Sequence, residues 1–259
     1  APVIAVILTM IIGGFLFLSM GKNPFEAIKL IFWDPIMSPT FSEYSRPQLV
    51  IKAAPLILIA LGLSFGFRAN IWNIGAEGQY IMGALISGSI GLALYPLDAW
   101  FIFPLMILGG IIGGVFWAMI PAILKIKFNT NEILVSLMLV YVAEQILALA
   151  SVGFLRNPDG LGFPGSRDLS KYPSAANPEL IANSGIHIGV IFSFIAVILL
   201  TYFLIYHRLG FQIKLIGQAP KAAKFSGVNV NYIVIFCLGL SGGLAGIAGM
   251  FELTGPAGL

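Results

Sequence analysis

The sequence has little charge and almost no cysteine. Asp, Glu, Lys and Arg make up 10% of its 259 residues, and hydrophobic residues make up 58%. A soluble domain carries about 25% charged residues, so the composition excludes an ordinary soluble protein and indicates a polytopic membrane protein. The single cysteine, Cys237, excludes an internal disulfide. The net charge of +3 gives no reason to expect a nucleic-acid partner.

Several catalytic patterns are also missing. The sequence has no GxxxxGK[ST] phosphate-binding loop, so we expect this chain not to hydrolyse ATP itself. Its two histidines, His187 and His207, are isolated at the two ends of one apolar run. Neither metal-ligand spacing nor a catalytic triad is evident. We therefore expect no catalytic residue, metal site or cofactor in this chain.

Long apolar runs are what the sequence does have. A helix needs about 20 residues to cross the hydrocarbon core, and the runs predict an all-α, polytopic transmembrane helical bundle of about seven spans. The predicted spans are 2–20, 48–67, 71–94, 100–124, 132–153, 186–206 and 230–253. We expect a single transmembrane domain, 1–259, that is trimmed at both ends.

Charge between the runs predicts the orientation. If the loop 21–47 lies outside, the inner segments are short and basic with almost no acid, whereas the outer segments hold both signs. Short basic loops face the cytoplasm, so we place 208–229 inside and 21–47 and 154–184 outside. Within the first outer loop, a proline start and an amphipathic pattern predict a short interfacial helix over 24–33.

The stretch "NIGAEGQ" (73–79) puts polar groups inside a predicted span. On a helix Asn73 and Glu77 would lie one turn apart and share a face with Asn70. Two glycines weaken the helix here and favour a break or a tight packing point. Two interpretations stand open. Asn73, Glu77 and Gln79 line a translocation path, or they lock this helix to its neighbours.

The fifth predicted span carries a second polar set. Glu144 and Gln145 either face a central pathway or form hydrogen bonds between helices. Amides and aromatic rings suit a neutral polar solute, so Tyr141 and Gln145 join the candidate pathway residues. At the start of this span, Thr130 or Asn131 is predicted to cap the helix.

Small residues recur at every fourth position in three segments, which predicts close helix–helix contact. They are Gly83, Ser87 and Gly91, the glycines of "GGIIGG" (109–114), and those of "GLSGGLAGIAG" (239–249).

The segment 208–230 lies between the last two predicted spans. Gly217 is predicted to break the chain, and Pro220 suits the first turn of a short helix that ends at Gly227. This helix, "PKAAKFSG" (220–227), is too short to cross a membrane. It rests on lipid headgroups or contacts a soluble partner.

Together these stretches resemble the permease subunit of a bacterial ABC importer, in the nucleoside and simple-sugar branch of a family that includes branched-chain amino acid permeases. The resemblance is carried by "FRANIWNIGAEGQYIMGAL" (67–85), "TNEILVSLMLVYVA" (130–143), "LGFQIKLIGQAPKAAKFSGVN" (209–229) and "LSGGLAGIAG" (240–249). It implies that family members have further spans beyond those in this chain.

The resemblance also implies partners and a coupling segment. The segment would dock in a groove of a separate ATPase subunit, where ATP and Mg would bind, and Lys221 stands where glutamate is often found elsewhere. Further partners implied are a second permease copy or a paralogous permease, a periplasmic or lipoprotein substrate-binding protein and the lipids of the bacterial inner membrane. The coupling residues implied are Gly217, Gln218, Pro220, Lys221, Ala222, Ala223 and Gly227.

The implied function is uptake of a small polar solute, a nucleoside or simple sugar, by alternating access. Three alternatives stay open. The first is an ion-coupled secondary transporter that uses Glu77 and Glu144, and the second is a branched-chain amino acid permease. The third is a channel or assembly subunit without transport of its own.

Overall fold

A computed structural model of the chain describes residues 2–160, 165–181 and 184–255, and these residues are mostly helical. The predicted all-α class is confirmed. The helices are α1 (Pro2–Ser19), α2 (Pro24–Ile28), α3 (Asp34–Met37), α4 (Ser42–Arg68), α5 (Ala76–Ala93), α6 (Ile102–Phe128), α7 (Glu132–Val152), α8 (Ile188–Tyr206), α9 (Arg208–Gln218), α10 (Pro220–Phe225) and α11 (Val230–Thr254). A π-helical turn (Lys29–Trp33) joins α2 to α3, and a 3₁₀ turn (Leu169–Lys171) precedes α8.

Among the described residues, six helices are long and apolar enough to cross a membrane: α1, α4, α6, α7, α8 and α11. They correspond to six of the predicted spans. The remaining span, 71–94, holds α5, which has 18 residues and begins only at Ala76. A helical start at residue 71 was therefore wrong, because residues 71–75 are not helical. Glu77 and Gln79 lie within the 18 residues of α5 and reduce its mean hydropathy, and α5 is not among these six helices.

The chain divides within α4 into two compact units, Ala1–Val50 and Ile51–Leu259. In the first unit the predicted helix over 24–33 is confirmed as α2 and the π-helical turn that follows it. The side chain of Asn23 caps α2 by accepting a hydrogen bond from Phe25 N at 3.1 Å. Pro24 occupies the first turn, where its missing N–H costs nothing. The position of this helix at the membrane interface stays a prediction.

The core of the second unit is the contact among α5, α6 and α11. The glycine pattern explains it, because a Cβ atom at Gly83, Gly114 or Gly246 would collide with the backbone of a neighbouring helix. A Cβ on Gly113 would lie 2.6 Å from Met82 O. Small residues let helix backbones approach this closely, so the predicted tight packing is confirmed.

Side-chain caps fix several helix starts. Asn131, not Thr130, caps α7 by accepting from Ile133 N at 2.9 Å. Glu132 in the first turn of α7 pairs with Lys125 of α6 at 2.5 Å. The isolated histidines have the same capping role, since His187 Nδ1 accepts from Gly189 N and His207 Nδ1 accepts from Leu209 N, each at 3.2 Å.

The predicted outer loop 154–184 includes residues 161–164 and 182–183, which lie outside the described residues. Its described part is held to the α5–α6 connection. Tyr172 Oη donates to Leu94 O at 3.2 Å, and Ser174 binds Asp98. Burial acts to raise the pKa of the Asp168 carboxyl, but hydrogen bonds from Ser170 and Lys171 outweigh it and hold that pKa below its usual value.

Candidate functional site

The chain breaks between α4 and α5, as the glycines of the 73–79 stretch predict. Asn70 adopts the left-handed conformation with φ 57°. The chain then folds back so closely that a Cβ on Gly66 would lie 2.7 Å from Ile71 O. The expected helical face shared by Asn70, Asn73 and Glu77 is therefore wrong, because the first two residues precede the helix.

A buried amide pair closes this break. Asn73 Nδ2 donates to Gln79 Oε1 at 2.8 Å and to Ser241 Oγ of α11 at 2.9 Å. Gln79 Nε2 donates back to Asn73 Oδ1 at 3.0 Å, and Gly75 N donates to the same oxygen at 3.1 Å. Asn73 and Gln79 are 3% and 1% exposed. Their amides are occupied by each other and by α11, so they lock the start of α5 to its neighbour.

The other three predicted pathway residues are exposed at the surface of the unit. Glu77 lies on α5, and Tyr141 and Gln145 lie on the outward face of α7. The structure therefore separates the five predicted residues into a buried pair and three surface residues. A role in the solute pathway stays a prediction for all of them.

A cavity of about 630 Å³ lies between α5, α7 and α11, and none of those five residues lines it. Its lining is largely apolar. The polar side chains are those of Tyr80, Glu144, Ser151, Ser166 and Glu252. Glu144 was recognised from the sequence as a polar residue within a span, but not as sharing a cavity with Glu252. Tyr80 and Ser151 were missed, although Glu144, Ala148, Ser151 and Leu155 recur at helical spacing.

The two glutamates differ in their partners. Glu252 pairs with Lys52 of α4, so its charge is balanced within the protein. In the described part of the chain Glu144 makes no hydrogen bond or ion pair. A carboxylate in a membrane span is costly unless it faces protein, water or a ligand, and the side chain of Glu144 is exposed where it lines the cavity.

The α9–α10 segment (Arg208–Phe225) packs against the break between α4 and α5. The predicted chain break at Gly217 is wrong, because α9 continues to Gln218. Gly217 lies instead against the Arg68 carbonyl, so closely that a Cβ would collide with it, and such a Cβ would lie 3.3 Å from Ala69 Cα. Ile213 and Ile216 of α9 join the same apolar cluster as Ala69 and Ile71.

The short helix predicted over 220–227 is confirmed as α10, with Pro220 in its first turn. Gly227, two residues beyond its end, is left-handed with φ 77°. Ala223 is fully buried in the cluster with Ala69, whereas the other predicted coupling residues of α10 face outward. They are Pro220, Lys221 and Ala222.

Sequence reasoning missed Phe225, the last residue of α10. Its side chain is 95% exposed, next to the exposed Lys224. The sequence "PKAAKF" (220–225) could have indicated it, because Phe225 is the one large apolar residue in this short basic helix. A ring so exposed is not part of the core.

An all-helical membrane bundle with glycine-packed helices and a short basic helix between two spans defines the class of transport permeases. The sequence model of the family described as "Branched-chain amino acid transport system / permease component" matches residues 46–258. The chain belongs to this family, whose members are multi-pass permease subunits of ABC transporters. Such subunits are not themselves enzymes, and the family implies an ATPase and a substrate-binding protein as partners.

Relatives of known name cover nearly the whole chain. A glucose ABC transporter permease of Haloferax volcanii is 29% identical over 99% of this chain and 68% of its own length. A nucleoside ABC transporter permease of Lactococcus lactis subsp. cremoris is 27% identical over 96% of this chain and 69% of its own. A guanosine ABC transporter permease of Bacillus subtilis is 27% identical over 98% and 71%. No solved structure matches the chain.

Proposed function

We propose that this chain is the transmembrane subunit of an ATP-driven importer that carries a nucleoside or simple sugar inward by alternating access. The observation that carries the proposal is the α9–α10 segment, which is packed into the helical core on one side and offers exposed lysines and Phe225 on the other. The names of the glucose, nucleoside and guanosine relatives support the solute class.

In this proposal the chain works with three partners. A periplasmic or lipoprotein receptor delivers the solute, and a second copy or a paralogous permease completes the path. A separate ATPase subunit binds ATP and Mg and hydrolyses ATP, while this chain supplies no hydrolysis of its own. Family membership supports the ATPase and the receptor.

The α10 helix is the proposed contact with the ATPase. Phe225 would enter an apolar pocket, because a large exposed aromatic side chain is the residue type that anchors protein interfaces. Lys221 and Lys224 would face acidic groups at the rim and speed association more than they tighten it. Ala223, which is buried, holds the helix on the bundle.

The α9–α10 segment also connects the proposed ATPase contact to the helices of the core. Gly217 of α9 lies against the end of α4 at Arg68, and the Asn73–Gln79 pair begins a few residues further on. That pair binds Ser241 of α11. A displacement of α10 would therefore reach α5 and α11 through packed atoms.

The test is Phe225→Ala in the complete transporter, reconstituted with its ATPase, second permease and receptor. Loss of a hot-spot side chain costs about 2 kcal/mol or more, so we expect at least a roughly 30-fold weaker association with the ATPase. Receptor-stimulated ATP hydrolysis should fall with it. Phe211→Ala, at an exposed phenylalanine of α9, is the matched control and should retain both. Full association and hydrolysis with Phe225→Ala would refute the contact.

The family description favours one further candidate solute, a branched-chain amino acid. Uptake of leucine by the same vesicles, with no uptake of nucleoside or sugar, would select it. An ionophore separates the importer from the ion-coupled alternative, because ATP-driven uptake persists after the proton gradient collapses, whereas uptake coupled through Glu77 and Glu144 stops.

A further inference from the structure

We infer that the cavity between α5, α7 and α11 is a solute site built for a nucleoside. The inference rests on the proposed importer function and goes beyond it, since it chooses the nucleoside over the free sugar and names the residues that bind it. The site differs from the pathway residues predicted from the sequence.

The size of the cavity suits such a solute. Ligand sites in proteins measure about 300–1,000 Å³, and this cavity of about 630 Å³ lies within that range. Its walls come from three helices of one compact unit, Ile51–Leu259. Asn73 binds Gln79 of α5 and Ser241 of α11, so these two walls are joined before any solute arrives.

The lining combines two kinds of surface. Most of it is apolar, which suits the flat face of a nucleobase. The leucines of this wall are Leu85, Leu92, Leu147, Leu155, Leu169 and Leu253. A free hexose carries hydroxyl groups around its whole rim, so it offers these leucines less apolar surface than a nucleobase does. A nucleoside presents one apolar ring and one polyhydroxyl ring, so it matches both parts.

The polar part of the lining suits the ribose. Glu144 has no partner among the described residues, so its carboxylate is free to accept hydrogen bonds. Hydrogen bonds to a carboxylate are roughly twice as strong as neutral ones, and an acidic side chain is a common acceptor for ribose hydroxyls. Glu252 lines the same cavity while paired with Lys52. This pairing balances one of the two carboxylates in the cavity and leaves Glu144 as the acceptor for the solute.

A second pocket adjoins the cavity beside the 154–184 loop. Leu92 and Leu169 line the cavity and also this smaller pocket of about 240 Å³. Polar and aromatic groups surround this pocket, among them Tyr95, Asn157 and Arg167. The guanidinium of Arg167 lies 4.7 Å from the centre of the Tyr95 ring. The two leucines therefore separate this polar pocket from the nucleoside site.

The first test uses thiol protection. The native Cys237 is fully buried, so added cysteines can be followed alone. In the reconstituted complete transporter, Ser151→Cys places a thiol in the cavity, and Val152→Cys places one at the next position, outside the lining and 58% exposed. We expect guanosine or uridine to slow modification of the first thiol severalfold and to leave the second unchanged. Equal protection of both, or none, would overturn the site.

The second test asks whether Glu144 binds the ribose. Glu144→Gln keeps the size of the side chain but loses the charge. We expect about a tenfold loss of nucleoside uptake, the usual size of a lost charged hydrogen bond, and no loss for a 2′,3′-dideoxynucleoside. The receptor affects wild type and variant equally, so their ratio reports on the permease. An equal loss for both solutes would mean a structural role and refute the assignment.

The outcomes separate this inference from the proposed function. If the wild-type complex takes up glucose with ATP and ignores nucleosides, the nucleoside site is wrong and the importer stands. If it takes up no solute when ATP is supplied, the importer itself is refuted. Copurification of the ATPase with Glu144→Gln confirms that the variant assembles.

Discussion

At the residue scale, the question is what a polar side chain does in a membrane helix. Asn73 and Gln79 show one answer, because each satisfies the other and neither lines the cavity between α5, α7 and α11. Glu144 shows another, because its carboxylate lines that cavity and has no partner in the part of the chain that the structure describes. The sequence alone left both interpretations open for each residue, since burial and partner choice depend on which helices pack together.

The first prediction concerns the buried amide pair. Asn73→Ala leaves the Gln79 amide and the Ser241 hydroxyl buried without their partner. An unsatisfied buried polar group costs about 1–3 kcal/mol, so the thermal midpoint of the purified transporter should fall. Gln145→Ala removes an exposed amide and should change the free energy of unfolding by no more than about 0.5 kcal/mol. Equal midpoints for the two variants would show that the pair does not lock α5.

At the element scale, helix content, the glycine contacts and the break before α5 could all be predicted from the sequence. Apolar runs and i, i+4 glycines are local patterns, so they can be recognised without knowing which helices pack together. The break was predicted from Gly75 and Gly78, but its consequence was not. Asn73 lies outside α5. Only the fold shows that its hydrogen-bond partner on α11 is Ser241, 168 residues away in the sequence.

The prediction of a chain break at Gly217 was wrong because the role of this glycine depends on a distant contact. Glycine was interpreted as a helix breaker, which reflects its backbone freedom. Here the helix continues, and the missing side chain permits contact with the Arg68 carbonyl. A close approach between distant segments leaves no local pattern, so it could not be predicted without the fold. The cavity was missed for the same reason, because it is formed by three helices that are far apart in sequence.

The next prediction follows from that contact. Gly217→Ala adds a Cβ that must push the Arg68–Ala69 backbone away from α9. We expect the ATPase to remain bound through α10, while solute-loaded receptor no longer stimulates ATP hydrolysis. Gly239→Ala is the control, because its Cβ would meet only the flexible end of Met119 at 3.2 Å. Normal stimulation in Gly217→Ala would show that movement does not pass through this contact.

At the scale of the whole molecule, the proposed function requires two segments of the chain to lie on opposite sides of the membrane. The α9–α10 segment must meet an ATPase in the cytoplasm, and the 154–184 loop must meet solute outside. The charge pattern predicts this orientation, and the fold is compatible with it, because α8 connects the loop to α9 as a single candidate span.

Single cysteines test this orientation. Lys171→Cys marks the 154–184 loop, where the native side chain is 81% exposed, and Lys221→Cys marks the exposed face of α10. A membrane-impermeant maleimide applied to intact spheroplasts should label the first, whereas the second should react only after lysis. Cys237 is buried and should not react with the maleimide before or after lysis. The chain without an added cysteine is the control for this. Labelling of Lys221→Cys in intact spheroplasts would place α10 outside the cell, where no ATPase could reach it.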